Sequence, residues 1–201
     1  MGRVTLNAGT LLAPLPPALV TCGTVEKPNI ITIGWTGILN SNPPKTYVSV
    51  RPTRYSHGLL KEGMDFVIHL PKASMAKQVD YCGIYTGAKV NKFEICGWEP
   101  KPSQKVAAPT IDECPIAIEC RVTEIVSMGT HDVFYADILC VTVDDSLLDE
   151  TGRLHVEKAD LCAYAHGQYY ALGRVLGRFG FSTDKKKKHH KKPKDKKGSK
   201  A

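Results

Sequence analysis

The chain has 201 residues, 42% hydrophobic and 23% charged, an ordinary balance for one globular domain and one that excludes wholesale disorder. Its most apolar run, LLAPLPPALV at 11–20, carries three prolines and falls well short of a membrane span; no basic cluster precedes it, so a secretory leader is not expected and the cytoplasm is the expected location. The formal net charge of +7 is unevenly held: residues 182–201 contain ten Lys and two Asp, which leaves 17 basic and 18 acidic residues in 1–181. Two segments are expected, a near-neutral folded domain over 1–181 and a lysine-rich tail over 182–201 with almost nothing apolar to bury and hence disordered. Such a tail has the charge to touch an acidic protein, anionic lipid or nucleic acid non-specifically. The reading adopted is a solvated tail.

Leu19–Gly23 and Ile30–Ile33 are short β-prone runs around the turn-rich Glu26-Lys27-Pro28-Asn29, which predicts a hairpin. Asn40 to Pro44 reads as a loop, and Tyr47–Val50 and Phe66–Leu70 as strands with a short helix between them. Residues 72–98 read as helical in pieces, with Met75, Val79 and Cys82 on one face and Ser74 as the cap. Residues 114–123 predict a strand with Cys114, Ile116, Ile118, Cys120 and Val122 on one face and Glu119, Arg121 and Thr123 on the other. The run VFYADILCVTV at 133–143 is apolar on both faces, so both should be covered. Several strands with helices in the middle and at the end predict a mainly β fold, a β-barrel with α-helical additions.

Seven cysteines at 22, 82, 96, 114, 120, 140 and 162 form no CxxC pair, and their spacings match neither a disulfide framework nor a zinc site. Cys114 and Cys120 sit on one expected strand, roughly 20 Å apart, beyond disulfide reach. Buried, inert thiols in a reducing compartment are expected, Cys22 among them.

Two stretches carry chemistry. RPTRYSHGLLKEG at 51–63 follows a strand and opens a helix that Gly63 would end, with Ser56 as the N-cap. A helix N-terminus offers N–H groups and a positive dipole end, and here Arg51, Arg54, His57 and the Thr53 and Ser56 hydroxyls surround it. That set suits a phosphate group; the alternative is a plain cap among surface arginines. PNIITIGWT at 28–36 sets Asn29, Thr32 and Thr36 beside Gly34 and Trp35, which suits the polar edge of a flat heterocycle or, equally, an ordinary hairpin with a core Trp. His69 alternates with Phe66, Ile68 and Leu70 and is read as structural. Tyr164, His166, Tyr169 and Tyr170 suit a pocket wall or a dimer contact, with packing as the default reading.

PNIITIGW, then NPPKTYVSVRPTRYSHGLL, then FVIHLP, followed by TGAKVNKFEICGW (86–98), SMGTHDVFYADILCVTVDD (127–145) and YYALGRVLGRFGFS (169–182), resembles the flavin reductase-like family of FMN-binding split β-barrels, its flavoredoxin-type branch in particular. The resemblance spans the domain and stops at the tail. It implies a six-stranded split barrel in a homodimer with FMN near the subunit interface. It also implies flavin ring and ribityl contacts from Asn29, Thr32, Gly34, Trp35 and Thr36. Phosphate contacts would come from Arg51, Arg54, Ser56 and His57, with Tyr55 and Lys92 as further contacts. Family reductases carry a Gly-Asp-His turn where nicotinamide approaches the flavin; this chain reads Gly129-Thr130-His131-Asp132, and His131 is the candidate catalytic residue. No Rossmann GxGxxG is present to distinguish NADH from NADPH. The implied activity is NAD(P)H-dependent reduction of flavin or a small acceptor through FMN. The alternatives are an electron-transfer flavoprotein reduced by an acidic redox protein such as a ferredoxin, and a binding module without catalysis.

Overall fold

The computed structural model describes residues 2–183. The expected tail therefore lies, beyond its first two residues, outside the described residues. Seven strands form one antiparallel sheet: β1 (Ala18–Gly23), β2 (Pro28–Ile33), β3 (Thr36–Ser41), β4 (Pro44–Val50), β5 (Asp65–Leu70), β6 (Ile116–Ser127) and β7 (Asp132–Val143), hydrogen-bonded in the order β2-β1-β5-β6-β7-β4-β3. Its two edge strands, β2 and β3, are joined in sequence by Gly34-Trp35 alone, so the sheet must roll up until its ends meet. There the Ser49 N–H donates to the Trp35 carbonyl at 3.0 Å, tying the corner to β4. A second hairpin, β8 (Cys162–Ala165) with β9 (Gln168–Ala171), is fixed to the N-terminal segment by reciprocal Leu15–Tyr164 backbone bonds.

Alternation along the strands sorts side chains into two cores. Ala18, Val20, Cys22, Ile31, Ile33, Val48, Val50, Phe66, Cys120, Val122, Phe134 and Ala136 fill the barrel interior. Leu60, from helix α1 (Tyr55–Gly63), joins them. The opposite faces of β1 and β2 present Leu19 and Ile30 to an outer layer made by α2 (Ala76–Ile84) and α3 (Lys92–Cys96), with Val79, Cys82 and Phe93 packed there. A single 3₁₀ turn over Ala73–Met75 precedes α2.

Several expectations are corrected. The hairpin turn is 24–27, because Pro28 and Asn29 already pair with Gly23 and Cys22 across the ladder. The expected loop at 40–44 is mostly strand: β3 runs to Ser41 and β4 starts at Pro44, leaving a two-residue turn. Ser74 lies inside the 3₁₀ turn and caps nothing; Lys72 holds the N-cap position without a side-chain bond. Cys114 precedes β6 and packs in the outer layer beside Ile111, so the expected one-face row of 114–122 breaks. Glu119 lies opposite Cys120 and Val122 as read, and that face is covered too: its carboxylate is buried, accepting the N–H groups of Gln104 (3.0 Å) and Lys105 (2.6 Å). In β7, Phe134 and Ala136 are buried, but Leu139 and Val141 are exposed: a single chain covers one face only.

Candidate functional site

Beside the Gly34-Trp35 corner lies a cleft with a wide and a narrow end. The wide end, about 340 Å³, is bounded by Ile31–Trp35 of the corner, Ser49–Arg51 at the end of β4, and Arg54, Gly83 and His131. Leu15, Tyr164 and Tyr169 form a further wall, with the Tyr169 hydroxyl donating to the Asp80 carboxylate of α2 at 3.1 Å. The narrow end, about 200 Å³, is bounded by Thr53, Tyr55 and Ser56 at the start of α1, by Tyr85, Thr86 and Gly87, and by Lys92. Ile31 and Arg54 border both ends, so the two adjoin.

The wide end is mixed in polarity, with Trp35, His131, Tyr164 and Tyr169 among its lining side chains. The Trp35 ring lies against His131, with centroids 4.6 Å apart. His131 contacts the Thr130 hydroxyl through Nδ1 at 3.0 Å. Partial burial, with the Arg51 charge behind it, holds the His131 imidazole below the ordinary range, so it is neutral at physiological pH. The turn that presents it relies on Gly129, at φ 94°.

The narrow end is cationic. α1 begins at Tyr55, and the N–H groups of a first turn have no carbonyl within their own helix to reach. Ser56 is not the N-cap: Arg54 holds that position, and the buried Ser56 Oγ instead accepts the Asn29 side-chain amide at 2.7 Å. Asn29 also reaches the Cys22 sulfur at 3.6 Å, and burial pushes that thiol up to about 11. Lys92 is buried, its Nζ donating to the carbonyls of Ile30 (2.7 Å) and Cys82 (2.8 Å), and desolvation lowers it to about 8. Arg54 donates to the Gly83 carbonyl, which fixes its guanidinium between the two ends. Gly87 passes so close that a Cβ there would lie 1.9 Å from Asn29 Oδ1.

The structure thus gathers Thr32, Gly34, Trp35, Arg51, Arg54 and His131 at the wide end, and Tyr55, Ser56 and Lys92 at the narrow end, with Asn29 behind Ser56. Thr32 and Thr36 have committed hydroxyls, donating to the carbonyls of Val79 and Tyr47. Thr36 borders neither end of the cleft. His57 does not either: its Nε2 meets the Asp132 carboxylate at 2.8 Å and its ring edge meets Phe134, on the side of α1 facing β7. Its neighbour Ser56 turns the other way because successive helical residues point about 100° apart. Sequence reasoning missed Ser49, Gly83, Tyr85, Thr86 and Gly87 and offered Tyr164 and Tyr169 as pocket residues only second to packing. Of these, Ser49, Thr86, Gly87 and Tyr169 lie within the stretches that carry the resemblance, whereas Gly83 and Tyr85 left no trace. No group of three or more His, Cys, Asp or Glu among the described residues is placed to hold a metal ion.

A rolled antiparallel barrel bearing this cleft at its corner defines a split-barrel protein of the flavin reductase kind. A family profile described as flavin reductase like domain matches residues 11–173, and the chain belongs to that family. A protein of Archaeoglobus fulgidus of unassigned function is 39% identical over 149 residues, 74% of this chain and 84% of its own. The flavoredoxin of Desulfovibrio vulgaris (Miyazaki F) is 32% identical and superposes with a TM-score of 0.84, over 91% of this chain and all of that one. An FMN-binding protein from Thermus thermophilus, solved with 1-cyclohex-2-enone bound, is 25% identical with a TM-score of 0.73, over 89% and 98% of the two chains.

Proposed function

We propose that this chain binds FMN in the two-ended cleft and works as an oxidoreductase that uses NAD(P)H to reduce flavin or a small acceptor. One observation carries the reading: a wide, aromatic-walled cavity adjoins a narrow cationic one at a helix N-terminus, the two ends of a molecule made of a flat ring and a phosphate. The residues present fit the group. Tyr55 and Ser56 at the start of α1, the Thr53 hydroxyl and the Lys92 ammonium would hold the phosphate, with Arg54 beside them. Backbone around Gly34 and Trp35 would meet the ring edge. When bound, FMN supplies the redox chemistry, accepting a hydride or single electrons. The chain's part is to orient and shield. Tyr164, Tyr169 and Leu15 limit solvent on one side of the wide end, and neutral His131 at its rim, with Arg51 behind, is assigned to orient the donor.

The test is an anaerobic absorption spectrum of the FMN-reconstituted protein titrated with NADH and then NADPH. Loss of the oxidised flavin bands supports the reductase; bands that persist through both additions overturn it. His131→Gln should raise KM for the nicotinamide donor more than it lowers kcat. The likeness to flavoredoxin, with Thr130 where family reductases carry Asp, favours a second reading: an electron-transfer flavoprotein served by a protein donor. Bands that persist with both nucleotides but bleach with reduced ferredoxin would establish that reading.

A further inference from the structure

Cysteines that share no sequence motif come together at one place. Cys82 in α2 and Cys96, the last residue of α3, set their Sγ atoms 3.8 Å apart, and both are free thiols. That separation exceeds the ~2.05 Å of a disulfide bond by roughly 1.8 Å. α3 has five residues and ends in Gly97 at φ 71°, so the gap can close by a shift of one short helix end and leave the barrel ladder alone.

The two sulfurs differ in setting. Cys82 is buried among Leu19, Val79 and Phe93, whereas Cys96 is partly exposed. A thiol–sulfur contact joins Cys82 and Cys96, and Lys92, which holds the Cys82 carbonyl, adds positive charge nearby. Cys96 is therefore held below the ordinary thiol range and Cys82 above it. Cys140, also partly exposed, is pushed up by burial and by Glu119. Solvent thus reaches the Cys96 sulfur, with the buried Cys82 sulfur 3.8 Å behind it, the arrangement of an attacking and a resolving thiol.

We propose that Cys82 and Cys96 form a thiol–disulfide exchange site for small disulfides of the glutathione class. The Cys96 thiolate attacks one sulfur of the small disulfide, forming a mixed disulfide and releasing one thiolate. Cys82 then attacks the Cys96 sulfur, the protein disulfide forms, and the second small thiolate leaves. Two electrons pass from the protein dithiol to the small disulfide, and the two cysteine protons end on the two released thiols. The new bond staples α2 to α3 across Tyr85–Asn91, the segment whose Tyr85, Thr86 and Gly87 border the narrow cavity. A dithiol reductant reverses it.

The test uses the full-length, fully reduced chain treated with oxidised glutathione, then alkylated and read by intact mass and peptide mapping. The expected product is lighter than the reduced protein by two hydrogens before alkylation, takes up five alkyl groups on its seven cysteines, and yields a Cys82–Cys96 cross-linked peptide. Cys82→Ser should stop at a stable glutathione adduct on Cys96, and Cys96→Ser should react no faster than the buried cysteines. A persistent Cys96 adduct in the unsubstituted chain, first reaction at Cys140 or elsewhere, or no reaction overturns the proposal. The unsubstituted chain decides it even where a variant fails to fold.

Discussion

Lys92 shows how one residue's setting fixes its chemistry. Nothing in VNKFEIC sets this lysine apart from a surface one, yet the fold buries it and gives its ammonium two backbone carbonyls. Burial lowers it to about 8. If it holds the phosphate of FMN, affinity should be flat from about pH 7, where the phosphate is a dianion, to about pH 8, and weaken above it as the free protein loses that proton, by up to tenfold per pH unit. Fluorescence titrations of FMN across that range check this, and Lys92→Gln should abolish the slope. Gly87→Ala should displace Asn29 and break its bond to Ser56, weakening FMN binding roughly tenfold, about one hydrogen bond's worth; the same titration reads it. His69 makes the opposite kind of statement. It is fully buried, with Nδ1 donating to the Leu19 carbonyl and Nε2 accepting the Ile111 N–H, and desolvation lowers it to about 4. Between about 6.5 and about 4 the unfolded chain takes a proton that the folded one refuses, so stability falls as pH drops through that window, by on the order of 3 kcal/mol. Urea unfolding at the two ends of the window should show the loss, and His69→Gln should remove that part of it.

Between the residue and the fold, loops are held by carboxylates at strand positions. Glu119 of β6 and Asp65 of β5 turn towards the segment 101–110, accepting the N–H groups of Gln104 and Lys105 and of Ala107 and Ala108. Glu119→Gln leaves one oxygen for two donors and should destabilise the chain by about 1–3 kcal/mol, measured by urea unfolding. Runs of β-prone residues located β4, β5 and β7 from sequence, but not which face of β7 turns inward, since its residues are apolar on both faces. The face pattern failed at Cys114, which precedes β6 and packs in the outer layer; at Glu119 the face held, and its burial comes from the segment 101–110 that covers it. The α1 start was legible and its cap was not: Ser56 is a good capping residue, but buried Asn29, distant in sequence, claims its oxygen.

For the molecule as a whole, one chain leaves Ile38 of β3 and Leu139 and Val141 of β7 exposed. We expect a homodimer, and light scattering should return about twice the 22.0 kDa chain mass. No helix among the described residues is long and apolar enough to cross a membrane. The barrel closes because β2 and β3, opposite ends of the hydrogen-bonded order, are separated by two residues. That same corner forms the wall of the cleft, so closure and site are one event.

By itself the sequence determined most of the strands and the strand-to-helix turn after β4, because each depends on spacing along a few residues; it read 28–36 as one strand, and the corner at Gly34-Trp35 emerged only in the fold. Only the tertiary structure decided that His57 turns to Asp132, that Lys92 lies buried at the narrow end, and that Cys82 meets Cys96. These depend on contacts between residues far apart in the chain, which are set by how the sheet rolls and the helices pack on it; local periodicity carries no record of them.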